Sequence, residues 1–181
     1  MSWLPVTVTA EPASEPITVA EAKAQCRVTS SDEDNLLTAY IAAARLFVEQ
    51  YTGLRIVEQT VEIRAGGFSD LAHLPVAPLQ SITSIKYLDR DGAEQTLAAS
   101  VYEGVLIGLA PSIRLKVNQS WPSVRSASDA VRVVAVAGYA STPEPIKQAL
   151  LLIVASWFDS REVGPIPAGA MALLTNYRRE R

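Results

Sequence analysis

The sequence predicts an α+β fold: a helical bundle, with two helices from the N-terminal part and two from the C-terminal part, carrying a β-rich insertion in its middle. Two observations predict it. Apolar residues recur at helical spacing over 17–53, alternate with polar ones over 54–140, and return to helical spacing over 143–181. The second is Pro143–Asp159, where Ile146, Leu150, Ile153 and Trp157 share one face and Leu151, Val154 and Phe158 the next. A helix apolar on nearly every side needs partners on more than one side. Burying Trp157 and Phe158 contributes roughly 1.5–3 kcal/mol each. The stretch is shorter than the ~20 apolar residues of a membrane span, and Lys147 and Asp159 flank it. The 181 residues suit one domain.

In chain order, residues 1–16 hold Pro5, Pro12 and Pro16 and read as an extended arm, in which Val6 and Val8 alternate with threonines and can join a sheet edge. Thr18 and Glu21 form a capping box for a short helix Val19–Cys26. The run S-S-D-E-D then opens a second helix, Asp34–Thr52, with Ser31 or Asp32 as its cap and acidic residues at its positive end. This run lacks the glycine and the distant glutamate of a calcium loop. Leu37, Ile41, Ala44, Val48 and Tyr51 make the inner stripe; Leu36, Tyr40, Ala43 and Phe47 flank it. Thr38, Ala42, Arg45, Glu49 and Thr52 are expected to face outward, and Gly53 to stop the helix.

Val57–Ala65 alternates, Leu74–Leu79 is a proline-bounded connector, and Ser81–Leu88 is a strand turning at Asp89–Gly92 into E-Q-T-L. Short strands are expected near Val105–Ile107, Ile113–Val117 and Val131–Ala137, with a polar mobile loop at Ser123–Ala130. Thr142 is expected to cap the helix from Pro143. A last amphipathic helix is expected over Ala170–Arg181, with Ala170, Leu173, Leu174 and Tyr177 on one face and Arg178, Arg179 and Arg181 at its negative end.

Net charge is −3. Residues 1–53 carry 3 basic and 7 acidic side chains, 54–142 carry 8 of each, and 143–181 carry 5 and 4. No segment is basic enough to grip nucleic acid. The lone Cys26 forms no internal disulfide and suits a reducing compartment, and no signal peptide is expected. The lone His73 makes neither a triad nor a metal set by itself, and Cys26 lacks a histidine partner. No phosphate-binding glycine loop is present. No catalytic residue, cofactor or metal is expected.

P-I-T-V-A-E-A-K (16–23), D-N-L-L-T-A-Y-I-A-A-A-R (34–45), Y-T-G (51–53), L-P-V-A-P-L-Q-S-I-T-S-I-K-Y-L-D-R-D-G (74–92), S-W-P (120–122), A-G-Y (137–139), P-I-K-Q-A-L-L-L-I-V-A-S-W-F (145–158) and Y-R-R (177–179) stand in an order that spans nearly the whole chain. In this the chain resembles the head–tail connector (adaptor, or head-completion) proteins of long-tailed phages and of gene transfer agents. Cys26 departs from the pattern, where a leucine would be expected. The resemblance implies a virion protein, made in the bacterial cytoplasm, forming a ring of about twelve copies under the portal. Its partners would be the portal, the stopper or tail-completion protein and other copies, with double-stranded DNA passing unbound and no membrane involved. It also implies portal contacts from Leu173, Leu174, Tyr177, Arg178, Arg179 and Arg181. Leu173 and Leu174 could equally be internal core, and the arginines a solvated helix end. A tail-completion or terminator ring protein remains an alternative but should lack the two terminal helix pairs. A small nucleic-acid-binding module would need the basic face that the charges deny. The polar arm and loop suggest a chain that is monomeric alone and orders into a ring on the portal.

Overall fold

The computed structural model describes residues 6–179. They form two compact units: a β unit from residues up to Pro12 and Glu58–Ala140, and a helical unit from Ala13–Val57 and Ser141 onward.

The helical unit is organised on the apolar helix anticipated near the C-terminus. Helix α1 spans Val19–Cys26, α2 Asp34–Thr52, α3 Glu144–Ser160 and α4 Ala168–Leu174. Helices α1, α2 and α4 all pack on α3. Its Ile146, Leu150, Ile153 and Val154 are inaccessible to solvent, as are Leu37, Ala44 and Val48 of α2. Trp157, only 1% exposed, takes the rings of Tyr40 and Phe47 edge-on at 6.3 and 6.0 Å. Its indole N–H donates to the Gly164 carbonyl at 3.0 Å, so the one polar atom of the ring is satisfied.

The helix ends follow local chemistry, with two departures from expectation. The capping box of α1 forms: Thr18 Oγ1 accepts from the Glu21 N–H, and the Glu21 carboxylate accepts from the Thr18 N–H at 2.6 Å and from its hydroxyl. Those bonds, the backbone one foremost, hold the Glu21 pKa below its ordinary value. Gly53 closes α2 with φ +73°, its N–H on the Glu49 carbonyl. Neither Ser31 nor Asp32 caps α2. The Asp34 N–H is taken by the Ser31 carbonyl, and Glu33 occupies the cap position with no side-chain bond to the helix. The carboxylates of the acidic run make ion pairs instead, Asp34 to Lys23 at 2.8 Å and Glu33 to Arg161 at 2.6 Å. For α3, Pro143 rather than Thr142 is the cap residue, and its carbonyl accepts from the Ile146 and Lys147 N–H groups.

The larger departure is on the face of α2 expected to be outward. Arg45 is 7% exposed, Glu49 4% and Thr52 1%. Glu15, just before α1, meets the Arg45 guanidinium through both oxygens, at 2.7 and 3.2 Å. Glu49 lies 3.8 Å from Arg45, accepts from Arg55 at 3.2 Å and takes the Ile56 N–H at 2.9 Å. Thr52 bonds back to the Val48 carbonyl. Charges that look solvent-facing in a helical wheel are thus covered by chain on both sides of the helix, in paired and hydrogen-bonded form.

In the β unit, β1 (Thr7–Ala10), β2 (Gln59–Ala65), β7 (Val131–Ala137), β3 (Leu79–Leu88) and β4 (Glu94–Thr96) make one antiparallel sheet in that order. The arm therefore adds an edge strand, as its alternation predicts. Strands β2 and β7 bury every second residue, and Val61, Ile63, Val133 and Ala135 enter the core. A 3₁₀ turn, Phe68–Ala72, was not anticipated. Its Phe68 stacks on Trp121 at 4.7 Å and meets Tyr87 edge-on, which gives S-W-P a packing role. Strands β5 (Tyr102–Val105) and β6 (Ser112–Leu115) form a separate hairpin, each shifted a few residues N-terminal of expectation. Tyr102 and Ile113 anchor it, whereas Ile107 and Val117 are exposed.

On the other face of the sheet Arg64, Arg132 and Lys86 lie in one cross-strand row. Glu62 and Glu94 sit among them, with contacts of 2.8 Å to Arg64 and Lys86 and 3.5–3.6 Å to Arg132. Asp129 adds a third carboxylate 4.0 Å from Arg64, so three cations face three carboxylates and the row is no free basic stripe for nucleic acid.

Removing the Glu49 carboxylate leaves Arg45 buried beside fewer partners, and Glu49→Ala is expected to cost about 3–5 kcal/mol in denaturant unfolding. A loss under about 1 kcal/mol would mean that the cluster is solvated.

Candidate functional site

The sequence directs attention to the C-terminal segment. Helix α4 starts after Pro167, whose carbonyl accepts from the Met171 N–H, and it ends at Leu174 rather than continuing to Arg181. Two local causes are visible. The Thr175 hydroxyl donates back to the Met171 carbonyl at 3.0 Å, and Thr175–Tyr177 tightens into a 3₁₀ turn. Arg178 then takes an extended conformation, and the Arg179 N–H donates to the Thr52 carbonyl at 2.9 Å. That carbonyl belongs to the last turn of α2, where helical partners run out.

Arg178 and Arg179, two of the arginines expected at the negative end of the last helix, therefore lie at the negative end of α2. The Arg178 guanidinium sits 5.4 Å from the Tyr51 ring centroid, and the Arg179 Cβ lies 3.6 Å from where a Cβ on Gly53 would be. Burial lowers the Arg179 pKa from its ordinary value. A side chain at Gly53 would also be strained by its positive φ. Gln50, Tyr51, Thr52, Gly53, Thr175, Arg178 and Arg179 line a cleft of about 650 Å³ here.

The predicted site residues thus divide. Arg178 and Arg179 come together with Tyr51 and Gly53, so Y-T-G and the two arginines of Y-R-R are neighbours in space; Tyr177 is half-buried in the 3₁₀ turn just before them. Leu173 is half-buried on α4, and Leu174 is completely buried. Arg181 lies outside the described residues. Tyr51 and Gly53 are read in the sequence as stripe, stop and the Y-T-G motif, and nothing in residue spacing brings them to residue 178.

Elsewhere, His73 is exposed beside the 3₁₀ turn. Cys26 is half-buried, and burial, helped by the nearby Asp159 charge, raises its thiol pKa and disfavours the thiolate. Among the described residues no group of three or more His, Cys, Asp or Glu side chains is arranged to hold a metal. None of their helices is long and apolar enough to cross a membrane.

Compared with protein families, residues 15–164 match the model of the head completion protein. The chain belongs to the head completion protein family. That family is defined by a structural task and not by a reaction. The match ends before α4 and the tail, so the cleft's arginines lie beyond it. Comparison with curated proteins gives no match. Among solved structures, the fold is similar to a chain in the virion of a native gene transfer agent particle, with a TM-score of 0.81 at 24% identity, covering 98% of this chain and 97% of that one. Similar too is a chain in the neck of an empty gene transfer agent particle computed with C6 symmetry, with a TM-score of 0.78 at 23% identity, covering 98% and 97%. A third is in the neck of a native particle computed with C12 symmetry, with a TM-score of 0.70 at 23% identity, covering 96% of each. These likenesses establish the fold.

Two variants separate core from surface here. Leu174→Ala is expected to cost about 2–5 kcal/mol, since it empties a buried site. Arg178→Ala, which loses one exposed ring contact, should cost no more than about 1 kcal/mol. Equal effects in chemical denaturation would contradict this division.

Proposed function

We propose that the chain is the structural head–tail connector of a tailed phage or gene transfer agent particle. About twelve copies form a ring beneath the portal, extend the DNA channel and seat the stopper or tail. The family match over residues 15–164 carries this reading. Fold relatives in particle necks with sixfold and twelvefold symmetry support it. So does the charge distribution: a channel through which DNA slides should not hold phosphates, and the cations of the β-sheet face are engaged by Glu62 and Glu94.

The portal-facing end comprises Leu173, Tyr177, Arg178 and Arg179, the last two lying against the end of α2, together with Arg181, which follows in sequence, and Leu174 is their internal support. Arg178 is exposed and rests on Tyr51, which suits an anchor for an acidic portal surface. The partners are then the portal on one side, the stopper or tail-completion protein on the other, and copies of the chain around the ring. The place of action is the head–tail junction of the particle.

Deleting the gene in a producing strain is expected to yield DNA-filled heads that leak or lack tails, restored by the wild-type gene. Tails of abnormal length on intact heads would favour a tail-terminator role. Normal tailed particles would overturn the connector reading.

A further inference from the structure

We propose that the tip of the β5–β6 hairpin is an apolar knob that seats on the helical unit of a second copy of this chain. The inference rests on the reading above that copies stand side by side, and it names a contact between them. From Gly104 to Ile113 the hairpin carries no charged side chain: G-V-L-I-G-L-A-P-S-I. Ile107 is 91% exposed, and a side chain built at the neighbouring Gly108, whose φ is +78°, would meet nothing within 4 Å. Val105, Leu106 and Leu109 beside it are only half-buried, so this is a patch and not a single stray side chain.

The base of the hairpin, by contrast, is firmly held. Tyr102 and Ile113 enter the β-unit core, and the Pro111 carbonyl accepts from the Leu74 N–H at 3.0 Å. Gly104 lies against β3 so closely that a Cβ there would come within 2.7 Å of Ile82 Cδ1. Glu103 and Arg114 pair across the strands at 2.7 Å. An apolar tip on an anchored base loses little freedom on binding, which is what a recognition element requires.

The chemistry narrows the partner. Nucleic acid would need cations, and the tip has none. A lipid surface would need a broader apolar face with unpaired basic flanks, and Arg114 is already engaged. A protein socket remains. Outside the β unit, the exposed large apolar side chains among the described residues are Leu46, Val163 and Met171, all on the helical unit. A knob on one surface and its complement on a different surface of the same chain make a head-to-tail contact, the kind that repeats around a ring.

A photo-crosslinking phenylalanine analogue placed at position 107 in particle-producing cells tests this. The expected product is a two-chain adduct from purified particles, with the partner peptide within residues 34–52 or 161–174. Joining to a different particle protein, joining of one position 107 to another hairpin, or no adduct would each overturn the knob. Absence of the chain from particles would instead sink the connector reading, and crosslinking of the concentrated purified chain would then decide the contact by the same outcomes. As a second readout, Ile107→Ser should keep the wild-type melting profile and enter particles at least tenfold less. Equal incorporation would overturn the proposal.

Discussion

Helix α3 needs cover on almost every side, and no neighbouring stretch of sequence is long enough to supply it. Ile146, Leu150, Ile153 and Trp157 are satisfied by α1 and α2, more than a hundred residues earlier, and by α4 just after. Closing those helices on α3 makes residues 58–140 an excursion that begins and ends at the helical unit and must bury its own core. It does so by alternation on β2 and β7, with the Phe68–Trp121 stack and the β5–β6 anchors completing the interior. The division of the chain into two compact units follows from that one demand for burial.

The same demand accounts for what could and could not be read from the sequence. Helices α1 and α2 and strand β7 have the boundaries that their spacing predicts, because capping box, stop glycine and period agree locally. Arg45, Glu49 and Thr52 were misplaced for the opposite reason. A helical wheel assigns charge to solvent, whereas here Glu15 arrives from before α1, and Arg55 and the Ile56 N–H fold back from the segment just after α2, which makes burial tolerable. Ile107 and Val117 failed in the other direction: apolar residues in an alternating stretch look like strand interior, yet both are exposed beyond the ends of the hairpin pairing.

The candidate site shows the limit most plainly. Tyr177, Arg178 and Arg179 stood out as an aromatic and basic tip, and that composition was legible. Their location was not. A continued helix would have put the arginines at its own end. Instead the unsatisfied Thr52 carbonyl draws the Arg179 N–H, and the tail lies along the end of α2. Backbone partners that a helix end leaves open are a tertiary matter, and no periodicity records them. The outcome joins Y-T-G and the two arginines of Y-R-R, which lie far apart in sequence and share one cleft.

What the chain does rests on where it sits in a particle, so reconstruction of the head–tail junction from the producing strain tests the account most directly. The account predicts a ring of this chain between portal and tail, with the segment around Arg178 turned toward the portal and no ordered contact from its β-sheet face to DNA. A junction ring built from another protein, with this chain absent or found only along the tail, would contradict it.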